Sequence, residues 1–97
     1  MTLFLIQHTH TPETCPTNNL DAVRGLRSHV TAETASRMGL TLLADWVNEP
    51  EHTVVLVVEG DSLEKAEDFA APFRQAGPVS VKAGETCEQV ARSCLGE

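Results

Sequence analysis

A chain of 97 residues with 41% hydrophobic and 22% charged side chains has apolar material for one core and too little length for two, because pieces below about 50 residues rarely fold unaided. Fourteen acidic residues against seven basic ones leave a net charge of -7, which opposes the phosphate neutralisation that nucleic-acid binding depends on, so DNA and RNA are excluded as expected partners. No apolar run approaches the roughly 18 residues of a membrane span, and Leu3 to Ile6 is too short and lacks the basic flank of a secretory segment, so no membrane association is expected.

Thr2 to His8 is dense in apolar side chains and reads as a strand. It gives way to a loop through Pro12 and Pro16, whose prolines cannot continue a regular element. From Leu20 to Met38, apolar residues recur at three- and four-residue steps (Val23, Leu26, Val30), with Asn18 or Asn19 as N-cap and Gly39 as the stop, which predicts one long helix. Gly25 within it reads as a point of close packing. Leu40 to Val47 and Thr53 to Glu59 are rich in valine, leucine and threonine and flank a turn-forming stretch from Asn48 to His52, which predicts a hairpin. Asp61 is expected to open a second helix in a capping-box variant with Glu64, with Pro72 kinking or shortening it. Val79 to Lys82 forms a short fourth strand. A last helix opens at Thr86 with Gln89 completing a capping box, and Cys87, Val90, Ala91, Cys94 and Leu95 lie on one face.

The predicted order is that of a ferredoxin-like α+β fold, βαββαβ, with an added C-terminal helix on a four-stranded antiparallel sheet, all in a single domain over residues 1–97. With strands ordered 4-1-3-2, both main helices cover one face. The other face is not polar: Val54, Leu56 and Val58 alternate with Val55 and Val57, and Phe4 and Ile6 with Leu3 and Leu5. On these residues and this element order the chain resembles the dimeric α+β-barrel superfamily, whose two sheets pack together across a two-fold axis. That resemblance implies a homodimer, sheet to sheet. It embraces cofactor-independent monooxygenases, isomerases, haem-degrading enzymes and ligand-sensing domains, so it selects no activity. The alternative cover is the C-terminal helix of the same chain.

The chemistry-bearing residues converge at one end of this sheet. His8 and His10 close the first strand, where a two-residue step directs both rings to one face with alpha carbons about 7 Å apart. Cys15 follows in the loop. Because the third strand runs antiparallel beside the first, His52 at its start is brought to the same end, with Glu13, Glu49 and Glu51 nearby. His8, His10, Cys15 and His52 are therefore candidate ligands of a transition metal, with the imidazole and thiolate set favouring Zn or Cu. The bland reading, a surface His-x-His and a space-filling loop cysteine, stands beside it.

Three cysteines without C-x-x-C spacing imply no disulfide framework and fit a reducing cytoplasm. Cys87 and Cys94 lie about 10.5 Å apart along one helix face and are expected to be buried. Trp46, near the same sheet end as His52, could line a pocket but reads first as core or dimer contact, and His29 reads as a boundary residue. Asp45, an acid inside an apolar strand, must sit at an edge, face a cavity or find a donor. Phosphate-cradling glycine loops and the Gly-x-Ser-x-Gly elbow are absent. Three functions follow: a homodimer binding a metal or metal-bound ligand; a cofactor-free enzyme of monooxygenase or isomerase type using His8, His10 or Asp45 as acid or base on a small-molecule ligand in an apolar pocket between sheet and helices; and a regulatory interaction module.

Overall fold

The computed structural model describes residues 1–97. In chain order it contains β1 (Thr2–Thr9), α1 (Leu20–His29), α2 (Ala32–Arg37), β2 (Thr41–Asn48), β3 (Thr53–Gly60), α3 (Leu63–Ala70), β4 (Val79–Gly84) and α4 (Cys87–Leu95). The strands form one antiparallel sheet in the order β2-β3-β1-β4, an α+β arrangement compatible with a ferredoxin-like fold.

Alternation along the two central strands decides which face is the core. Phe4, Ile6 and His8 of β1 and Val54, Leu56 and Val58 of β3 are buried and stand opposite one another, while Leu5, Gln7, Val55 and Val57 point to the other face. Against the buried side α3 lays Ala66, Phe69 and Ala70, all fully enclosed. Each large side chain removed from water there stabilises the fold by about 1.5–3 kcal/mol. Leu3, Leu5, Val55, Val57 and Trp46 remain at least partly exposed on the opposite face.

The expected single helix from Leu20 to Met38 is two. Val30 leaves helical geometry, and Thr31 takes an extended conformation from which its side chain accepts the Thr34 amide, starting α2 afresh. Thr34 Oγ1 in turn donates to the Ser28 carbonyl at 3.1 Å. Hydroxyl side chains that bond nearby backbone compete with helix continuation, and two of them interrupt a run whose apolar spacing is continuous. The cap of α3 is Ser62 rather than Asp61, which pairs with Lys65 at 2.9 Å. Pro72 shortens that helix: α3 ends at Ala70 and a 3-10 turn spans Ala71–Gln75.

The capping box of Thr86 and Gln89 forms as read, yet α4 buries no residue. Cys87 and Cys94 are exposed, which corrects the expectation of burial. The helix is locally well formed and has no sheet beneath it, so it does not cover the open face. Gly25 is likewise no packing point, because a Cβ there would meet open space.

One irregularity positions the site. A β-bulge between Leu42 and Ala44 shifts the register of β2, so that Asp45 opposes Leu56 and Val47 opposes Val54 on the helix side, while Trp46 opposes Val55 on the open side. Strict alternation from the buried Leu40 would have placed them the other way round.

Candidate functional site

At the end of β1 the chain builds a line of three imidazoles. His8 is 1% exposed, packs on Phe73 with ring centroids 5.2 Å apart, and donates from Nδ1 to the Pro78 carbonyl at 3.1 Å. A carbonyl only accepts, so His8 carries its proton on Nδ1 and its Nε2 is an acceptor when the ring is neutral. His10 Nδ1 lies 3.1 Å from that Nε2 and is therefore the donor. The proton order leaves His10 Nε2 with a free lone pair, which is the state a metal ligand needs.

The ionisation state fits this order. Burial pushes the His8 pKa below its ordinary value, with the Pro78 hydrogen bond opposing and the neighbouring His10 adding to the shift. Burial also lowers His10, assisted by repulsion from His52. Both rings are neutral near pH 7.

The backbone that supplies Pro78 is held close for a steric reason. A Cβ at position 77 would collide with the Thr9 carbonyl oxygen, so Gly77 permits the approach that brings Pro78 beside β1. There the Pro78 carbonyl accepts from the Thr9 amide at 3.3 Å as well as from His8.

His52 approaches from the hairpin. Asn48 bonds both the backbone and the carboxylate of Glu51, and the turn ends with His52 at φ 51, in the left-handed region. That conformation costs on the order of 1–3 kcal/mol in a residue with a Cβ. It is held by a bond from the His52 amide to Glu49 at 3.0 Å and by the His52 carbonyl accepting the His10 amide at 3.1 Å. The His10 and His52 rings meet edge to face at 5.1 Å. His52 Nδ1 is buried and has no hydrogen-bond partner, a state that costs about 1–3 kcal/mol if nothing relieves it.

Cys15 completes the group. It caps the 3-10 turn Pro16–Asn18, is 7% exposed, and its Sγ lies 2.9 Å from Thr17 Oγ1. The loop is tied by paired Thr11 and Thr14 side chains and by Asn18 Nδ2 donating to the Pro12 carbonyl. Ligand atoms of His10, Cys15 and His52 all lie within 4.8 Å of one another. A tetrahedral ion with bonds of about 2.0–2.3 Å holds its donors roughly 3.3–3.8 Å apart, so modest closure of the three would fit one. Of the four ligand candidates, the structure gathers these three and places His8 behind His10.

The three face a groove of about 400 Å³ between α1 and the sheet. Val23, Leu26 and Val30 line one wall and Val54 and Leu56 the floor, with Arg27, Asp45 and Glu49 among the polar lining residues. Asp45 satisfies two of the alternatives raised by its sequence position, since it lies on the edge strand β2 and faces a cavity. Trp46 takes no part in the groove and is 52% exposed on the other face. His29 is half-buried, stacking on Phe69 and bonded to its carbonyl at 2.6 Å.

The supporting role of His8 and the contribution of Gly77 were missed in the sequence, whereas a pocket between the sheet and the helices beside His10 or Asp45 is what the acid-base expectation requires. A signal existed for both missed features. Gly-Pro directly precedes β4, which pairs antiparallel with β1, so the start of β4 must lie beside the end of β1.

The fold and site define a small α+β protein with an open sheet face and an imidazole and thiol cluster at one sheet end. The chain belongs to the family described as a domain of unknown function (DUF3303), whose model matches residues 2–93. No curated protein and no solved structure matches it.

Proposed function

We propose that this protein binds a transition metal ion, Zn or Cu, through His10, Cys15 and His52, with His8 orienting His10 from behind. The observation that carries the reading is the buried, partnerless Nδ1 of His52 beside two other potential ligands. An ion gives that histidine a partner. The chain Pro78 carbonyl, His8, His10 supports it further, because metal-binding histidines commonly donate their second ring nitrogen to a fixed acceptor. Cys15 in the set favours Zn or Cu over ions that prefer oxygen.

The subunit is read as ferredoxin-like and the assembly as a homodimer of the dimeric α+β-barrel kind. Leu3, Leu5, Val55, Val57 and Trp46 on the uncovered sheet face support that assembly. Two copies related by a two-fold axis would each cover the other's apolar face.

The test is metal analysis of untagged protein grown with trace zinc and copper, alongside a His10→Ala, His52→Ala double variant. Stoichiometric metal in the parent and near-background metal in the variant is the expected result. Background metal in both overturns the reading. One observation keeps a second reading: Asp45 and His10 line the same groove, so acid-base chemistry on a small molecule needs no ion there. The same measurement separates the two.

A further inference from the structure

The groove under α1 bears on what a bound ion would do, and the argument rests on the metal-binding reading above. All three prospective ligands line that groove, so the donor set opens onto a cavity instead of being closed within the protein. Structural metal sites of the tetrahedral kind are closed by four protein ligands, whereas sites with three leave one position for an exogenous group. Here the group is three. His8, the nearest further imidazole, has both ring nitrogens engaged, by Pro78 and by His10.

The rest of the groove states what can enter. Its depth is branched and apolar, from Val23, Leu26 and Val30 on one side to Val54 and Leu56 on the other. Its volume of about 400 Å³ lies in the lower part of the range of small-molecule sites, about 300–1,000 Å³. Charged lining residues are two acids, Asp45 and Glu49, against one base, Arg27. An anionic head therefore has little reason to enter unless a cation waits at the inner end.

We infer that the groove binds a small, mainly aliphatic molecule whose single anionic, metal-coordinating head takes the open position on the ion, with its tail lying under α1. The ion supplies the attraction for the head and the valine and leucine walls supply that for the tail.

Cobalt(II) in place of zinc makes the site visible, because its absorption bands change when a ligand joins the metal. Full-length protein loaded with cobalt is titrated with acetohydroxamate, butyrohydroxamate and hexanohydroxamate. Each is expected to shift the bands, and affinity should rise about fourfold for every methylene added, the value of a buried methylene in binding terms. Metal-free protein should bind none of them.

Val23→Trp and Val47→Trp, both at partly exposed groove positions, should weaken hexanohydroxamate about tenfold or more by filling the space of the tail, in line with the loss of at least about two buried methylenes. Acetohydroxamate should be held within about twofold, because neither residue belongs to the donor set. Two variants guard against one that folds poorly. Bands unmoved by every hydroxamate in protein that carries cobalt would overturn the inference and leave metal binding standing. So would affinity independent of chain length. A chain that takes up no cobalt removes this inference, and one that takes up neither zinc nor copper removes the metal-binding reading as well.

Discussion

The two helices over the sheet cover it differently. Beneath α3 the layer is solid, with Ala66, Phe69 and Ala70 fully enclosed against β1 and β3. Beneath α1 it is not: that helix has no fully buried residue, and the space between it and β2 and β3 is the groove that ends at His10, Cys15 and His52. The α3 half stabilises the fold, and the α1 half gives up packing to hold a cavity. Binding sites arise where a rigid packed region lets a neighbouring region stay incompletely filled.

The largest expected effect breaks the solid half. Phe69→Ala removes a fully enclosed ring that also stacks on His29, and should cost about 3–5 kcal/mol. That is a large fraction of the roughly 5–15 kcal/mol available to a small domain. Urea or thermal unfolding would show it. An equivalent truncation on the groove wall, Val23→Ala, should cost well under about 1 kcal/mol, because its side chain is already partly exposed. Equal costs at the two positions would refute the contrast.

Next comes the support behind the ligands. His8→Phe keeps an aromatic ring of similar shape against Phe73 while removing the acceptor for His10 Nδ1. Metal affinity should fall about 10–100-fold, the range for losing an outer partner of a ligating histidine. His52→Ala should remove binding more completely. If His8→Phe proved as damaging as His52→Ala, His8 would be a ligand itself.

How much of this was readable depends on which interaction decided each feature. The central strands were legible because period-two burial leaves a direct trace, as in Phe4, Ile6, Val54, Leu56 and Val58. The approach of His52 to His10 was legible because antiparallel pairing of β1 with β3 dictates it, and Cys15 was placed nearby only as a residue of the loop that leaves β1. Three things were not. The break at Val30 is made by hydroxyl groups bonding backbone, which the apolar period does not register. The bulge at β2 inverts the facing of Asp45 and Trp46 without a glycine to announce it. The division of labour between His8 and His10 turns on which ring nitrogen meets the Pro78 carbonyl, some 70 residues away in the chain; strand pairing announces that the two segments are neighbours but not that hydrogen bond.

Acidification should then act on the groove half selectively. Burial holds His8 and His10 below the ordinary histidine pKa, so in the metal-free protein the unfolded chain takes up protons first as pH falls. Stability is fully present above about 6.5, the unfolded value, declines as pH drops toward the folded pKa values, and levels off below them. Urea midpoints between pH 8 and 5 would show the slope, and His8→Phe should flatten it in part. Asp61, lowered by its bond and charge interaction with Lys65, acts in the opposite half of the helix layer and only at carboxylate pH. A decline confined to that lower range would place the sensitive groups outside the groove.

The smallest effect belongs to α4, which sharpens the comparison by supplying a helix that covers nothing. Its apolar stripe resembles that of α3 in pattern, yet every residue of it is exposed. Val90→Ser should therefore change the stability of the isolated subunit by no more than about 0.5 kcal/mol, the usual range for surface positions. Thr86→Ala should cost about 1 kcal/mol of local helix stability through the lost capping box, visible as reduced helicity rather than a shifted global transition. Periodicity in α3 and α4 marks which side of a helix is apolar. Whether anything lies against that side is decided by where the connecting chain sets the helix down, and only the former is written in the spacing of the residues. A Val90→Ser penalty that grew with protein concentration would show that a second copy supplies the missing surface.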